Sequence, residues 1–137
     1  MTDLDSVEFA DNPDPRCPCV LLLDTSGSMK GIPIAALNEG LQSFQKDIRE
    51  DELAQRRTEI CLVTFGNGGV QVLEHATGHM QSSSDTGQLT GTFVTAGEFE
   101  PPTLVADGYT PLGHAINVGL DLLQQRKQQY RDYGHAY

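Results

Sequence analysis

Residues 18–23, Pro-Cys-Val-Leu-Leu-Leu, form a nearly unbroken apolar run that stops at Asp24. A run this short, without alternation, predicts a strand buried on both faces. The rhythm changes after Gly31, where Ile34, Leu37, Leu41, Phe44 and Ile48 recur at three- and four-residue steps. That spacing predicts a helix with one apolar stripe and with Pro33 in its first turn, where proline is favoured. The helix should fade among the charges of 49–57. Residues 58–65, Thr-Glu-Ile-Cys-Leu-Val-Thr-Phe, read as a second buried strand. Strand, helix and strand make a βαβ unit, whose crossover is right-handed.

Gly66-Asn67-Gly68-Gly69 is a hairpin signal, and Val70 and Val72 alternating with Gln71 predict an antiparallel edge strand. Residues 77–110 are rich in Gly, Ser, Thr and Pro and read as a long loop with a short strand near Phe93. Loops of this length are uncommon and often functional. Thr110 then suits an N-cap and Pro111 the first helical position. Leu112, Ala115, Ile116, Gly119, Leu120 and Leu123 predict the core-facing stripe of a last helix, which turns polar over 124–131. The pattern as a whole is α/β: an open, Rossmann-like sheet, mostly parallel, with an antiparallel edge strand.

The 137 residues are one domain's worth. Residues 1–16 carry five acids among Pro13 and Pro15 and read as an acidic, flexible lead-in, with an edge strand around Val7 and Phe9; residues 17–137 are the domain. The net charge of −10 repels nucleic-acid phosphates and anionic membrane surfaces, so neither is expected as a partner. No apolar stretch reaches the roughly 20 residues of a membrane span, and no signal-peptide core opens the chain. A cytoplasmic location is expected. Cys17 and Cys19 flank Pro18 and are too close in sequence for an easy bridge. A Cys-Pro-Cys pair can hold a soft metal, but no second Cys/His pair at zinc spacing accompanies it, and reduced thiols are the preferred reading. Cys61 lies in an apolar run and reads as a small buried hydrophobe.

The chemistry concentrates at the end of the first strand. Asp24, Ser26 and Ser28 supply one carboxylate and two hydroxyls there, at alternate positions. Ligands of open α/β sheets bind outside the carboxyl ends of the strands. An oxygen-rich cup at that place suits a hard cation, Mg²⁺ first, with Mn²⁺ or Ca²⁺ as alternatives. Thr110, at the start of another helix, faces the same rim if the two elements are neighbours. With so few anionic ligands the ion stays electrophilic and accepts an Asp or Glu carboxylate from a protein partner. The same residue types also make capped turns by bonding to backbone. His75, His79, His114 and His135 share no metal-ligand spacing.

The enzymatic alternative is phosphoryl transfer through an aspartyl intermediate on Asp24. Asp24-Thr25-Ser26-Gly27-Ser28 is superficially like the nucleophile motif of cation-pumping ATPases and haloacid-dehalogenase-type phosphatases. Thr25 stands where the pumps have Lys, Ser26 stands where the phosphatases have Asp, and no later acidic pair follows. A serine hydrolase would need a Gly-x-Ser-x-Gly elbow, which the chain lacks.

Asp-Thr-Ser-Gly-Ser after an apolar strand, followed downstream by Gly-Tyr-Thr-Pro-Leu-Gly, resembles the von Willebrand factor A domains and their metal-ion-dependent adhesion site. The flanking residues are similar to the bacterial tellurium-resistance subgroup of that family, over roughly residues 17–125. The resemblance implies that Asp24, Ser26, Ser28 and Thr110 hold the cation, and that the module binds proteins and is not an enzyme. It further implies later strands, one ending in a metal-site Asp of an Asp-Gly pair. The Asp-Gly pair here, Asp107-Gly108, precedes Thr110 instead. The chain is therefore expected to be the N-terminal part of such a domain, with an unpaired sheet edge open to self-association.

Overall fold

A computed structural model describes residues 15–83, 86–109 and 111–137. The elements are β1 (Cys17–Thr25), α1 (Ile32–Arg49), α2 (Glu52–Arg57), β2 (Thr58–Gly66), β3 (Gly69–Glu74), β4 (His79–Ser82), β5 (Val94–Thr95) and α3 (Leu112–Asp132). Among the described residues the strands form one mixed sheet in the order β1-β2-β3-β4, and β5 pairs with the start of β2. The pairing of β1 with β2 is parallel, and those of β2 with β3, β2 with β5 and β3 with β4 are antiparallel. The expected mostly parallel sheet is thus confined to the βαβ unit. Tight turns after β2 and β3 can reverse the chain only into antiparallel neighbours. β3 lies inside the sheet, and β4 takes the edge place expected of β3.

The alternation of side chains along β2 builds two apolar layers. Ile60 and Leu62 face α1, where Leu41 and Ile48 close the layer. Cys61, Val63 and Phe65 face α3 and meet Ala115, Val118 and Leu122. Each such fully buried aliphatic side chain contributes about 1.5–3 kcal/mol. β2 is buried almost throughout, as its apolar run predicts. β1 differs: most of its residues are half-buried and Leu22 is 36% exposed, because β2 is its one strand neighbour among the described residues. Pro18, which cannot donate to a ladder, suits this edge position.

The stripe on α1 falls as predicted, with Ile34, Leu37 and Phe44 packed on the buried Leu41 and Ile48. The chain does not simply fray after it. Asp51 accepts the N–H groups of Leu53 and Ala54 at 3.1 Å and caps α2. On α3 the expected stripe is rotated: the buried residues are Ala115, Val118, Gly119, Leu122, Arg126 and Tyr130. Leu112, Ile116 and Leu120 are exposed. Both sets obey helical spacing and share Ala115 and Gly119. Val118 and Leu122, packed on Cys61, Val63 and Phe65, and Arg126 and Tyr130, bound to Glu59, turn the helix to the observed face.

Arg16, at the end of the expected lead-in, is 2% exposed. It joins Arg126 and Tyr130 of α3 around Glu59, a fully buried carboxylate. Arg126 binds it in two-pronged fashion, at 2.7 and 2.8 Å. Burial alone would raise the Glu59 pKa. The hydrogen bonds and charge of Arg126, the Tyr130 hydroxyl and the charge of Arg16 outweigh it and hold the carboxyl below its ordinary value. Burial and the Glu59 charge raise the Tyr130 pKa, so the hydroxyl stays a donor. Residues 1–14, with the edge strand expected around Val7 and Phe9, lie outside the described residues.

Glu59→Gln leaves two buried guanidinium groups without their counter-charge and should cost about 3–5 kcal/mol in urea unfolding. In the unaltered chain a depressed carboxyl pKa stabilises above the ordinary carboxylate range. That contribution should fade as pH falls below about 4, and Glu59→Gln should flatten this part of the stability profile.

Candidate metal centre

β1 ends at Thr25, in register with Gly66 at the end of β2. Thr25 is buried and gathers three segments. Its carbonyl accepts the N–H of Asp107 at 2.8 Å and that of Asn67 at 3.2 Å. Its hydroxyl donates to the Phe65 carbonyl at 3.4 Å. Gly27 N–H donates to the Gly108 carbonyl at 2.8 Å, and the Asn67 side-chain amide donates to the Val105 carbonyl at 3.0 Å. Two glycines make this approach feasible. Gly66 has φ +132°, and a Cβ on it would lie 2.3 Å from the Ser26 nitrogen. Gly108 has φ +77°, and a Cβ there would lie 2.7 Å from the Gly66 oxygen.

On this platform three of the four predicted ligands converge. Ser26 donates to one Asp24 carboxylate oxygen twice, from Oγ at 2.6 Å and from its N–H at 2.8 Å. The hydroxyls of Ser26 and Ser28 are 3.1 Å apart. Ser26 is buried, Asp24 half-buried and Ser28 exposed, so the cluster opens outward from a fixed base. Neighbouring oxygens around an octahedral Mg²⁺, with bonds of about 2.0–2.1 Å, stand about 3.0 Å apart. The separations of 2.6 and 3.1 Å bracket that spacing, so the donor set fits a small hard cation. The same contacts close an Asx turn, so local turn chemistry pre-forms the cup.

Thr110 lies outside the described residues. The described part of that loop meets the ends of β1 and β2, because Gly108 touches both Gly27 and Gly66. α3 starts at Leu112 with Pro111 as N-cap, one position earlier in the helix frame than expected. Asp107 and Lys30 share this rim, 3.7 Å apart and both exposed. The sequence marks Asp107 as the Asp of the Asp-Gly pair but does not place it at this rim, which it reaches through the long-range contact of its N–H with the Thr25 carbonyl. A cavity of about 150 Å³ is lined by Thr25, Thr64, Asn67 and residues 102–105. Thr25 and Asp24 project to opposite faces of β1, so this cavity is separate from the cup.

Among the described residues no group of three or more His, Cys, Asp or Glu side chains is placed to hold a metal ion. The cup is of another kind, one carboxylate with hydroxyls. Among the described residues no helix is long and apolar enough to cross a membrane. Comparison with protein-family models, with curated proteins and with solved structures gave no match.

Gly66→Ala should lower stability by about 1–3 kcal/mol, through a strained φ and a collision with the backbone of residues 25–26. Gly40→Ala, in the middle of α1 with nothing within 4 Å, should stabilise by about 0.5–1 kcal/mol. Thermal unfolding of the two variants reads both signs.

Proposed function

We propose that the chain is a divalent-cation-dependent protein-binding module, with Asp24, Ser26, Ser28 and Thr110 as the ligands of Mg²⁺ and Mn²⁺ or Ca²⁺ as substitutes. The observation that carries this reading is the convergence of the Asp24, Ser26 and Ser28 oxygens at the open carboxyl end of β1. A single anionic ligand leaves the bound ion with unsatisfied positive charge. A partner's Asp or Glu carboxylate then replaces a water in its shell. Binding, not turnover, is the output.

The electrostatics supports this division of labour. A chain of net charge −10 disfavours an acidic partner overall, so a bound cation supplies the local attraction. Apolar contact is at hand on the segments that form the cup: Tyr109, next to Gly108, is 74% exposed, and Ile32, at the start of α1, is 85% exposed. The irregular segment 99–109 is the selectivity element in this account, because it carries Asp107, Gly108 and Tyr109 to the rim. The wording of the two motifs supports a setting in a bacterial stress response of the tellurium-resistance type.

Calorimetric titration with Mg²⁺ and with Mn²⁺ should show one ion bound per chain. Asp24→Ala should weaken it about tenfold or more, a loss of about 1.4 kcal/mol or greater. A chain that takes up neither ion, or an Asp24→Ala variant that binds as well as the parent, contradicts the assignment.

A further inference from the structure

The Cys-Pro-Cys run at the start of β1 has no part in the cation cup. Cys17 and Cys19 alternate with Pro18, so both thiols stand on one face of the strand. Cys19 packs at the margin of the layer that α1 covers, and Cys17 is exposed. Burial, then the adjacent Cys17 thiol, raise the Cys19 pKa. The third cysteine is out of reach. Cys61 belongs to the layer under α3, on the other side of the sheet, and burial pushes its thiol up to about 12.

Strand geometry selects among the uses of such a pair. Same-face Cβ atoms two residues apart in a strand are about 6.6 Å apart, whereas a disulfide needs about 3.5–4.5 Å. A disulfide would therefore break β1 out of register with β2. Two sulfurs reaching toward each other from those Cβ atoms can share a bridging ion without moving the backbone. Pro18 fixes φ between them and limits the conformations lost on binding. Thiolates select soft ions, whereas the hydroxyls and carboxylate at the other end of β1 select hard ones.

We propose that Cys17 and Cys19 form a two-thiolate site for a soft, thiophilic species, either a monovalent soft metal ion or a trivalent metalloid. It lies roughly 20 Å along β1 from Asp24 and is independent of the cation cup. With an organoarsenic(III) oxide the step balances without redox change. Two As–S bonds form, the As–O bonds break, and the oxygen leaves as water with the two thiol protons.

The test uses the folded 137-residue chain and two probes. Phenylarsine oxide, read by native intact mass spectrometry, should add once per chain, survive excess glutathione and be removed by a dithiol. Copper(I) supplied from its bicinchoninate complex should transfer one ion per chain. Cys17→Ser, at an exposed position that leaves folding intact, should abolish both, as should Cys19→Ser, and Cys61→Ala should retain both. Response to one probe only supports the site and identifies its class. Indifference of the parent chain to both probes, or full retention in Cys17→Ser, overturns the proposal.

Discussion

The parallel register of β1 on β2, from Cys17 opposite Thr58 to Thr25 opposite Gly66, is the constraint on which the rest of the molecule depends. Side chains alternate along a strand, so a slip of one residue would turn every β1 side chain to the other face. Asp24 would then point toward α1 instead of lying beside α3, and Leu21 and Leu23 would lose the layer they pack against. The register also sets both ends of the pair. At the carboxyl end it brings Thr25 and Gly66 together as the platform of the cup. At the other end it brings Arg16 to Glu59.

Glu59 secures that far end at considerable electrostatic cost. A buried carboxylate is tolerated only with matched charge and filled lone pairs, and here Arg16, Arg126 and Tyr130 supply both. The cluster ties the entry to β1, the start of β2 and the polar half of α3 into one unit. Arg126 also lies over Phe93, at 5.7 Å from the ring, which draws the segment before β5 to the same place. The two ends of the sheet therefore have different characters. One is closed by a buried ion cluster, and the other is left open with backbone held close by glycine.

Much of the core was legible because local periodicity and burial agree there. The buried β2 run, the α1 stripe and the hairpin at Asn67-Gly68 follow from spacing and turn chemistry alone, whereas β1 was legible as a strand but not as an edge. The failures occur where two local answers are equally good. On α3 both stripes satisfy helical spacing and share Ala115 and Gly119, and only the packing of Val118 and Leu122 against β2 chooses between them. The helix turns polar over 124–131, yet Arg126 and Tyr130 are buried there because Glu59 waits on β2. Asp51 was one acid among several until its cap on α2 was visible. At the cup, Asp24, Ser26 and Ser28 are adjacent in sequence and were readable. Gly66 was readable as a turn residue and Gly108 as part of the second motif, but neither as the close contact that joins the loops.

The proposed function requires a cation at the carboxyl edge of β1, held by residues the turn has already arranged. The most direct measurement is the loss of amide NMR signal on titration with paramagnetic Mn²⁺. Signals of residues 24–29 and 107–109 should broaden first, at substoichiometric ion, while those around Glu59 at the opposite edge stay sharp. Broadening centred on another acidic surface, or none below the concentration that broadens the whole spectrum, would contradict it.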